Sequence, residues 1–216
     1  MMNESEWRIE VARVTRRVAE LGLIRSSDGN LSARLGDDCF LLTPSGTYKA
    51  TTRPDDLLLI DRQGKVLQGP PGAKPTIEWR MHLEAYRQRP DISAVVHAHP
   101  PYATALTIAG LDFPLDIIPE VAVTLGEVPT APYATPGTEA LAESILGFIN
   151  RSDTILLSHH GSLSVGRTPE QALIALERVE HAAHTFFLAR SLGEIKTLQT
   201  EEVSRLQEMY RASRKS

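Results

Sequence analysis

Ile92-Ser93-Ala94-Val95-Val96-His97-Ala98-His99-Pro100-Pro101 is the stretch on which the fold turns. An apolar run of strand length ends in a His-x-His and is stopped by two prolines, which cannot donate to a sheet ladder. Side chains alternate faces along a strand, so His97 and His99 point the same way. A second apolar run, Thr154-Ile155-Leu156-Leu157, reads as a strand that leads into His159-His160-Gly161. Two imidazoles on one face, joined by a third from a separate strand, make a three-histidine metal site. Three protein nitrogens leave a coordination position open, the arrangement of catalytic rather than structural metals. The pattern points to metal-assisted chemistry on a small polar substrate. The competing reading is a pair of partly buried histidines satisfied by backbone carbonyls. The second histidine cluster favours metal. His159 and His160 are adjacent, so on a strand they would face opposite sides, one binding and the other supporting. Spacing does not say which.

Working outward, Trp7, Val11, Val14, Val18 and Leu21 recur at helical spacing, with Gly22 as a C-cap. Residues 30–35, 39–43, 57–60 and 65–68 read as short strands, separated by Gly36-Asp37-Asp38, Pro44-Ser45-Gly46 and Gln63-Gly64. Thr76 is a candidate cap for a helix whose apolar face is Trp79, Leu83 and Tyr86. A short helix is expected over 102–108, extended chain over 121–125 and 127–130, and a helix over 138–149 with Leu141, Ile145 and Phe148 inward. Thr168-Pro169-Glu170 starts a helix that runs to about Leu192, and a last helix begins near Thr200. Strands joined by tight turns, with helices on both sides, imply one mixed α/β domain over residues 1–216.

Composition narrows the class. The 216 residues carry 42% hydrophobic and 23% charged side chains, enough for one domain with a real core. A net charge of −4 argues against a nucleic-acid partner, which normally meets a basic face. The single cysteine, Cys39, excludes an intrachain disulfide and fits a reducing compartment. The polar N-terminus lacks a signal-peptide core, and no apolar run approaches the roughly 20 residues that span a bilayer. The expectation is a cytoplasmic protein with no membrane partner.

Other polar residues have a bland reading beside the functional one. Glu78 sits where a helix dipole favours a carboxylate, and beside a metal it would be a fourth ligand or an acid/base. His82, one turn on, reads as packing or polar surface. Gly29-Asn30-Leu31-Ser32 and Thr43-Pro44-Ser45-Gly46 are turns that could cradle an anion with N–H groups and hydroxyls, although ordinary turn chemistry accounts for their composition. Glu177, Glu180, His181 and His184 fall at helical spacings and read as a solvated face. Arg211, Arg214 and Lys215 read as a solvated tail.

In this order, Gly29-Asn30-Leu31-Ser32-Ala33-Arg34, Thr43-Pro44-Ser45-Gly46, Lys74-Pro75-Thr76-Ile77-Glu78-Trp79, Val95-Val96-His97-Ala98-His99, Ala131-Pro132-Tyr133 and His159-His160-Gly161 resemble the class II aldolase/adducin family, which includes L-fuculose-1-phosphate aldolase and L-ribulose-5-phosphate 4-epimerase. The resemblance runs through nearly the whole chain. It implies a three-layer α/β/α sandwich around a central, largely antiparallel mixed sheet, and a homotetramer with active sites at subunit interfaces. It implies that His97, His99 and His160 hold a divalent metal, Zn2+ first and Mn2+, Fe2+ or Co2+ otherwise. His160 is preferred over His159 because the family's ligand immediately precedes the glycine. Glu78 matches the catalytic glutamate, while Gly29, Asn30, Ser45, Gly46 and Thr76 match positions that hold a substrate phosphate. The implied activity is cleavage of a 2-ketose 1-phosphate to dihydroxyacetone phosphate and an aldehyde. Related chemistries are a decarboxylase, a 4-epimerase and a dehydratase. A non-catalytic adducin-like interaction module is the alternative outside enzymes.

Two departures stand out. The family often has two serines before the glutamate, where this chain has Thr76 and Ile77. The position of the aldolase's tyrosine acid falls at Ile118, followed by Pro119-Glu120. Glu120 and Tyr210 are then the candidates to handle the C4 hydroxyl proton, Tyr210 by its place near a tail tyrosine that closes over a neighbouring subunit's site.

Overall fold

The computed structural model describes residues 2–213, with side chains described as far as 209. Its centre is an eight-stranded sheet: β1 Asn30–Arg34, β2 Phe40–Leu42, β3 Leu58–Ile60, β4 Val66–Gln68, β5 Ala94–Ala98, β6 Thr130–Ala131, β7 Thr154–Leu157 and β8 Gly161–Gly166. The spatial order is β4-β3-β2-β1-β5-β8-β7-β6. All neighbours are antiparallel except β6 and β7. The helices are α1 Glu4–Glu20, α2 Trp79–Gln88, α3 Pro101–Ile108, α4 Pro119–Thr124, α5 Glu139–Ser144, α6 Pro169–Leu192 and α7 Thr200–Ser213.

Strand alternation divides the apolar side chains between two layers. Phe40, Leu42, Val95, Ile155, Leu157, Leu163 and Val165 pack with Met81, Ala85 and Tyr86 of α2, Leu141 of α5 and Ile145 just after it. Leu31, Ala33, Leu41, Ala94, Val96 and Ala98 pack on the other face against Val11, Val14 and Val18 of α1 and Leu173 and Leu176 of α6. The result is a three-layer α/β/α sandwich around a largely antiparallel mixed sheet. Each fully buried Val, Leu or Ile contributes about 1.5–3 kcal/mol relative to exposure, so both covers are needed.

Helix starts follow their capping chemistry. Asn3 caps α1 with a reciprocal capping box through Glu6, and Thr168 accepts from the Gln171 N–H ahead of Pro169 at the first position of α6. Thr76 does not cap α2. The residue before that helix is Glu78, without a side-chain cap, because Thr76 is buried two residues earlier and accepts a hydrogen bond from Asn30. The chain over 121–125 is helical rather than extended: Ile118 is extended, Pro119 occupies the helix start, and Val121 and Leu125 are buried in an apolar cluster with Leu156 and Val179. Of the expected second extended piece over 127–130 only Thr130 pairs, and with Ala131 beyond it forms β6, parallel to Leu156–Leu157. The helix expected over 138–149 ends at Ser144 and continues in turns, with Leu141 and Ile145 buried as expected.

Register sets up the site. Asn30 pairs directly with His97 across β1 and β5, so both side chains leave the sheet on the α2 side. His99 follows just beyond the end of β5, and its N–H donates to the Leu23 carbonyl at 2.9 Å. His159 and His160 lie in the turn between β7 and β8, not on a strand, and His159 holds a left-handed φ of 57°. Their divergence therefore comes from the turn and not from strand alternation. Gly161 is required here: a Cβ on it would lie 2.2 Å from the Ala98 carbonyl oxygen. That close approach brings the His160 turn against the end of β5.

Candidate metal centre

His97, His99 and His160 converge, with one ring nitrogen from each within 4.8 Å of the others. His97 is fully buried, and its Nδ1 lies 2.9 Å from the Ser162 carbonyl oxygen. A carbonyl only accepts, so Nδ1 carries the hydrogen and Nε2 presents a lone pair. That lone pair faces His99 Nε2 at 3.2 Å and Glu78 Oε2 at 3.3 Å, while Glu78 Oε1 lies 3.3 Å from His160 Nε2. Burial holds the imidazole of His97 well below the usual histidine range, with His99 and His160 adding to the effect, and burial also lowers His99 and His160. The His97 lone pair and the Glu78 carboxylate thus set acceptor against acceptor.

A cation resolves that conflict. Ligand atoms around a tetrahedral ion, with bonds of roughly 2.0–2.1 Å, stand about 3.3–3.4 Å apart. The contacts from His97 to His99 and from Glu78 to two histidines match that spacing. Glu78 Oε1 is buried and without a hydrogen-bond partner, as is His160 Nδ1. Glu78 Oε2 accepts from Asn30 Nδ2 at 2.8 Å. Donor set, tautomer and orphaned oxygen all fit a divalent metal.

The remaining candidates divide into those beside the cluster and those away from it. Asn30 and Thr76 adjoin Glu78, joined by a 3.0 Å bond from Asn30 Nδ2 to Thr76 Oγ1. Gly29 has φ 62°, and a Cβ there would meet the His97 carbonyl oxygen at 2.8 Å. Ser45 and Gly46 are exposed in a turn tied to Lys74 by the Ser45 N–H. Ile77 points out, 60% exposed. Glu120 is exposed on the first turn of α4, and among the described residues no hydrogen bond or ion pair joins its carboxylate to the histidines. The side chain of Tyr210 lies outside the described residues. Tyr133 is exposed and meets the His159 ring edge-on at 6.5 Å.

Three polar groups read differently in three dimensions. His82 is buried among hydrogen-bonding partners rather than at a polar surface. Glu180 is not on a solvated face: its carboxylate accepts from the N–H groups of Tyr102 and Ala103 at the start of α3, and burial raises its pKa. Lys49, which carries no motif, is 1% exposed, with Nζ donating to the carbonyls of Ser27, Pro44 and Thr47 at 3.0–3.3 Å. It ties the segment before Gly29 to the Ser45-Gly46 turn. Burial pushes its ammonium down to about 8, against a smaller opposing pull from Asp28. The folded value lies below the unfolded one, so the unfolded chain binds more protons between about pH 8 and 10.5 and Lys49 favours folding as pH rises through that window. Lys49→Met is expected to remove this gain. Urea midpoints of both proteins at pH 7.5 and 10 test it, and an unchanged difference between them would refute the assignment.

Comparison with known proteins finds similarity along nearly the whole chain. The model of the Class II Aldolase and Adducin N-terminal domain matches residues 9–187. The chain is 35% identical over 196 residues to a 5-methylthioribulose-1-phosphate/5-deoxyribulose-1-phosphate aldolase of Rhodospirillum rubrum, covering 91% of this chain and 87% of that one. It is 31% identical to a 3-oxo-tetronate 4-phosphate decarboxylase of Pectobacterium atrosepticum, with 95% and 94% covered. A solved structure of L-fuculose 1-phosphate aldolase is similar with a TM-score of 0.86 at 32% identity, over 97% of this chain and 98% of its own.

Proposed function

We propose that this chain, which belongs to the class II aldolase and adducin family, is a metal-dependent aldolase that cleaves a 2-ketose 1-phosphate to dihydroxyacetone phosphate and an aldehyde. The observation that carries the reading is the Glu78 carboxylate facing His97 and His160, with one oxygen unpartnered in a buried site. His97, His99 and His160 would hold the metal, most readily Zn2+, which when bound supplies Lewis-acid polarisation of the C2 carbonyl. Gly29, Ser45, Gly46 and Thr76 hold the phosphate of the substrate, beside Asn30, whose amide hydrogens are directed to Glu78 and Thr76. Breaking C3–C4 leaves negative charge on the dihydroxyacetone phosphate half; Glu78, ionised at rest, would take up a proton from solvent as substrate binds and deliver it to C3, balancing the proton that leaves the C4 hydroxyl. Glu120, or Tyr210 from a neighbouring subunit, handles the C4 hydroxyl proton. The reading includes a homotetramer, supported by exposed Phe187, Leu188 and Leu192 on α6. A 5-deoxy or methylthio pentulose phosphate is the substrate class, by similarity to the Rhodospirillum rubrum protein. A fuculose-1-phosphate-like sugar is the second.

The decarboxylase is the competing reading, and Ile118 favours it. Loss of carbon dioxide needs no group to take a C4 hydroxyl proton, and the expected tyrosine is absent from that position. Among the described residues no helix is long and apolar enough to cross a membrane, which suits a small phosphorylated substrate in water. The discriminating experiment is proton exchange at C3 of dihydroxyacetone phosphate in deuterated buffer, followed by NMR with and without a chelator. Stereospecific exchange that stops on chelation is expected. No exchange by fully metallated protein would overturn the aldolase in favour of the decarboxylase, epimerase or dehydratase. Protein that takes up no stoichiometric metal would favour the interaction module.

A further inference from the structure

His82 lies one turn into α2, outside the metal cluster, and its ring is 1% exposed. Both ring nitrogens are engaged. Nε2 meets Asn30 Oδ1, and Nδ1 meets Ser32 Oγ at 2.7 Å. Ser32 Oγ in turn lies 2.8 Å from the Tyr86 hydroxyl. At the other end, Asn30 Nδ2 reaches Glu78 Oε2 at 2.8 Å and Thr76 Oγ1 at 3.0 Å. A buried chain therefore runs from Tyr86 through Ser32, His82 and Asn30 to Glu78.

The chemistry of its last member orders every proton in it. An ionised carboxylate only accepts, so Asn30 must turn its NH2 towards Glu78 and its carbonyl towards His82. That carbonyl needs a donor, so His82 carries hydrogen on Nε2. Nδ1 is then an acceptor, Ser32 donates to it, and Tyr86 donates to Ser32. Flipping the Asn30 amide would set its carbonyl against Glu78 Oε2 and its NH2 against a ring N–H. Two buried mismatches of that kind are costly, since each forfeits a hydrogen bond and strands a desolvated group. Burial also keeps the ring neutral, with its pKa pushed down to about 3; His97 adds to this effect and Glu78 opposes it.

We propose that His82 is a positioning residue, which locks the Asn30 amide and through it the Glu78 carboxylate for proton transfer at C3. The chain orients and does not conduct: a proton passing from His82 would have to cross the Asn30 amide, which neither takes up nor releases one at ordinary pH. This rests on the reading of Glu78 as the acid/base above. The single direction of the chain distinguishes it from generic packing, since a residue that only filled space would not need a particular tautomer.

Two variants and one spectrum test it. His82→Leu removes both ring contacts at similar volume, whereas His82→Gln keeps an amide N–H near the place of Nε2. The Leu variant is expected to keep full metal content and a KM near that of the parent, while kcat and C3 exchange fall roughly 10–100-fold. The Gln variant should recover most of that loss. Equal kcat in the Leu variant and the parent, or a Gln variant as impaired as Leu, would overturn the proposal. Independently of activity, 15N NMR of histidine-labelled protein should show His82 as the neutral Nε2–H tautomer from about pH 5.5 to about pH 8.5. A ring found as the Nδ1–H tautomer, or protonated in that range, would overturn it even if the Leu variant failed to fold. Parent protein without C3 exchange would count against the aldolase reading alone, because the tautomer measurement still decides the role of His82.

Discussion

Alanine at any one of His97, His99 or His160 is expected to strip the protein of stoichiometric metal and to abolish turnover. The remaining two nitrogens would share the site with Glu78, and the acceptor-facing geometry that fits a cation would lose one side. Lewis-acid polarisation is worth several kcal/mol, and each ~1.4 kcal/mol is a factor of ten, so a fall of at least about 10³-fold follows. The three variants should differ in stability. His97 is fully buried between β1 and β8 and donates to Ser162, so its removal opens a cavity and orphans a carbonyl. His160 sits in a turn, part-exposed, with Nδ1 unbonded, and its loss should lower the melting temperature least. Metal per chain after dialysis, C3 exchange and thermal unfolding check this together. Full metal content in any of the three would remove that histidine from the ligand set.

Much of this architecture was legible because its signals are local. The alternation of Val95 and His97 against Ala94, Val96 and Ala98 is a two-residue period, and the observed layers follow it. Pro169 after Thr168 marks a helix start by backbone chemistry alone. The chain over 121–125 failed that test because Val121, Val123 and Thr124 favour strands by side-chain shape. Burial of Val121 and Leu125 in one cluster with Leu156 and the proline at the start decide for helix. His82 was legible as packing but not as a hydrogen-bonded residue. Its partners Asn30 and Ser32 lie 52 and 50 residues away, and only the packing of α2 over β1 brings them together. Lys49 is a similar case, since its carbonyl partners belong to two loops with no shared motif. His97 and His99 could be picked out by type and spacing, His160 and Glu78 only through the family resemblance, and the turn that aims His160 depends on a left-handed residue and on a glycine pressed against Ala98.

Glu78→Gln separates holding a metal from moving a proton. Glutamine has the same shape and can still accept from Asn30 Nδ2 through its remaining carbonyl oxygen. That places its NH2 towards the histidine nitrogens, where the carboxylate oxygen lay 3.3 Å from His160. An amide there cannot take up or deliver a proton. Metal content should therefore stay near one per chain, carried by the three histidines, and KM should change little. C3 exchange should fall about 10²–10⁴-fold, the usual worth of a positioned acid/base. Loss of metal along with the rate would instead make Glu78 chiefly a ligand. A Glu78→Gln protein with a near-normal exchange rate would end the assignment of Glu78 as the group that protonates C3. Glu78→Asp sharpens the contrast, because it keeps an ionisable carboxyl but withdraws it by one methylene from Asn30. If position matters as much as acidity, the aspartate variant should be nearly as slow as the glutamine one while remaining metallated. Recovery of most of the rate by aspartate would mean that the Asn30 contact is not needed to aim the proton.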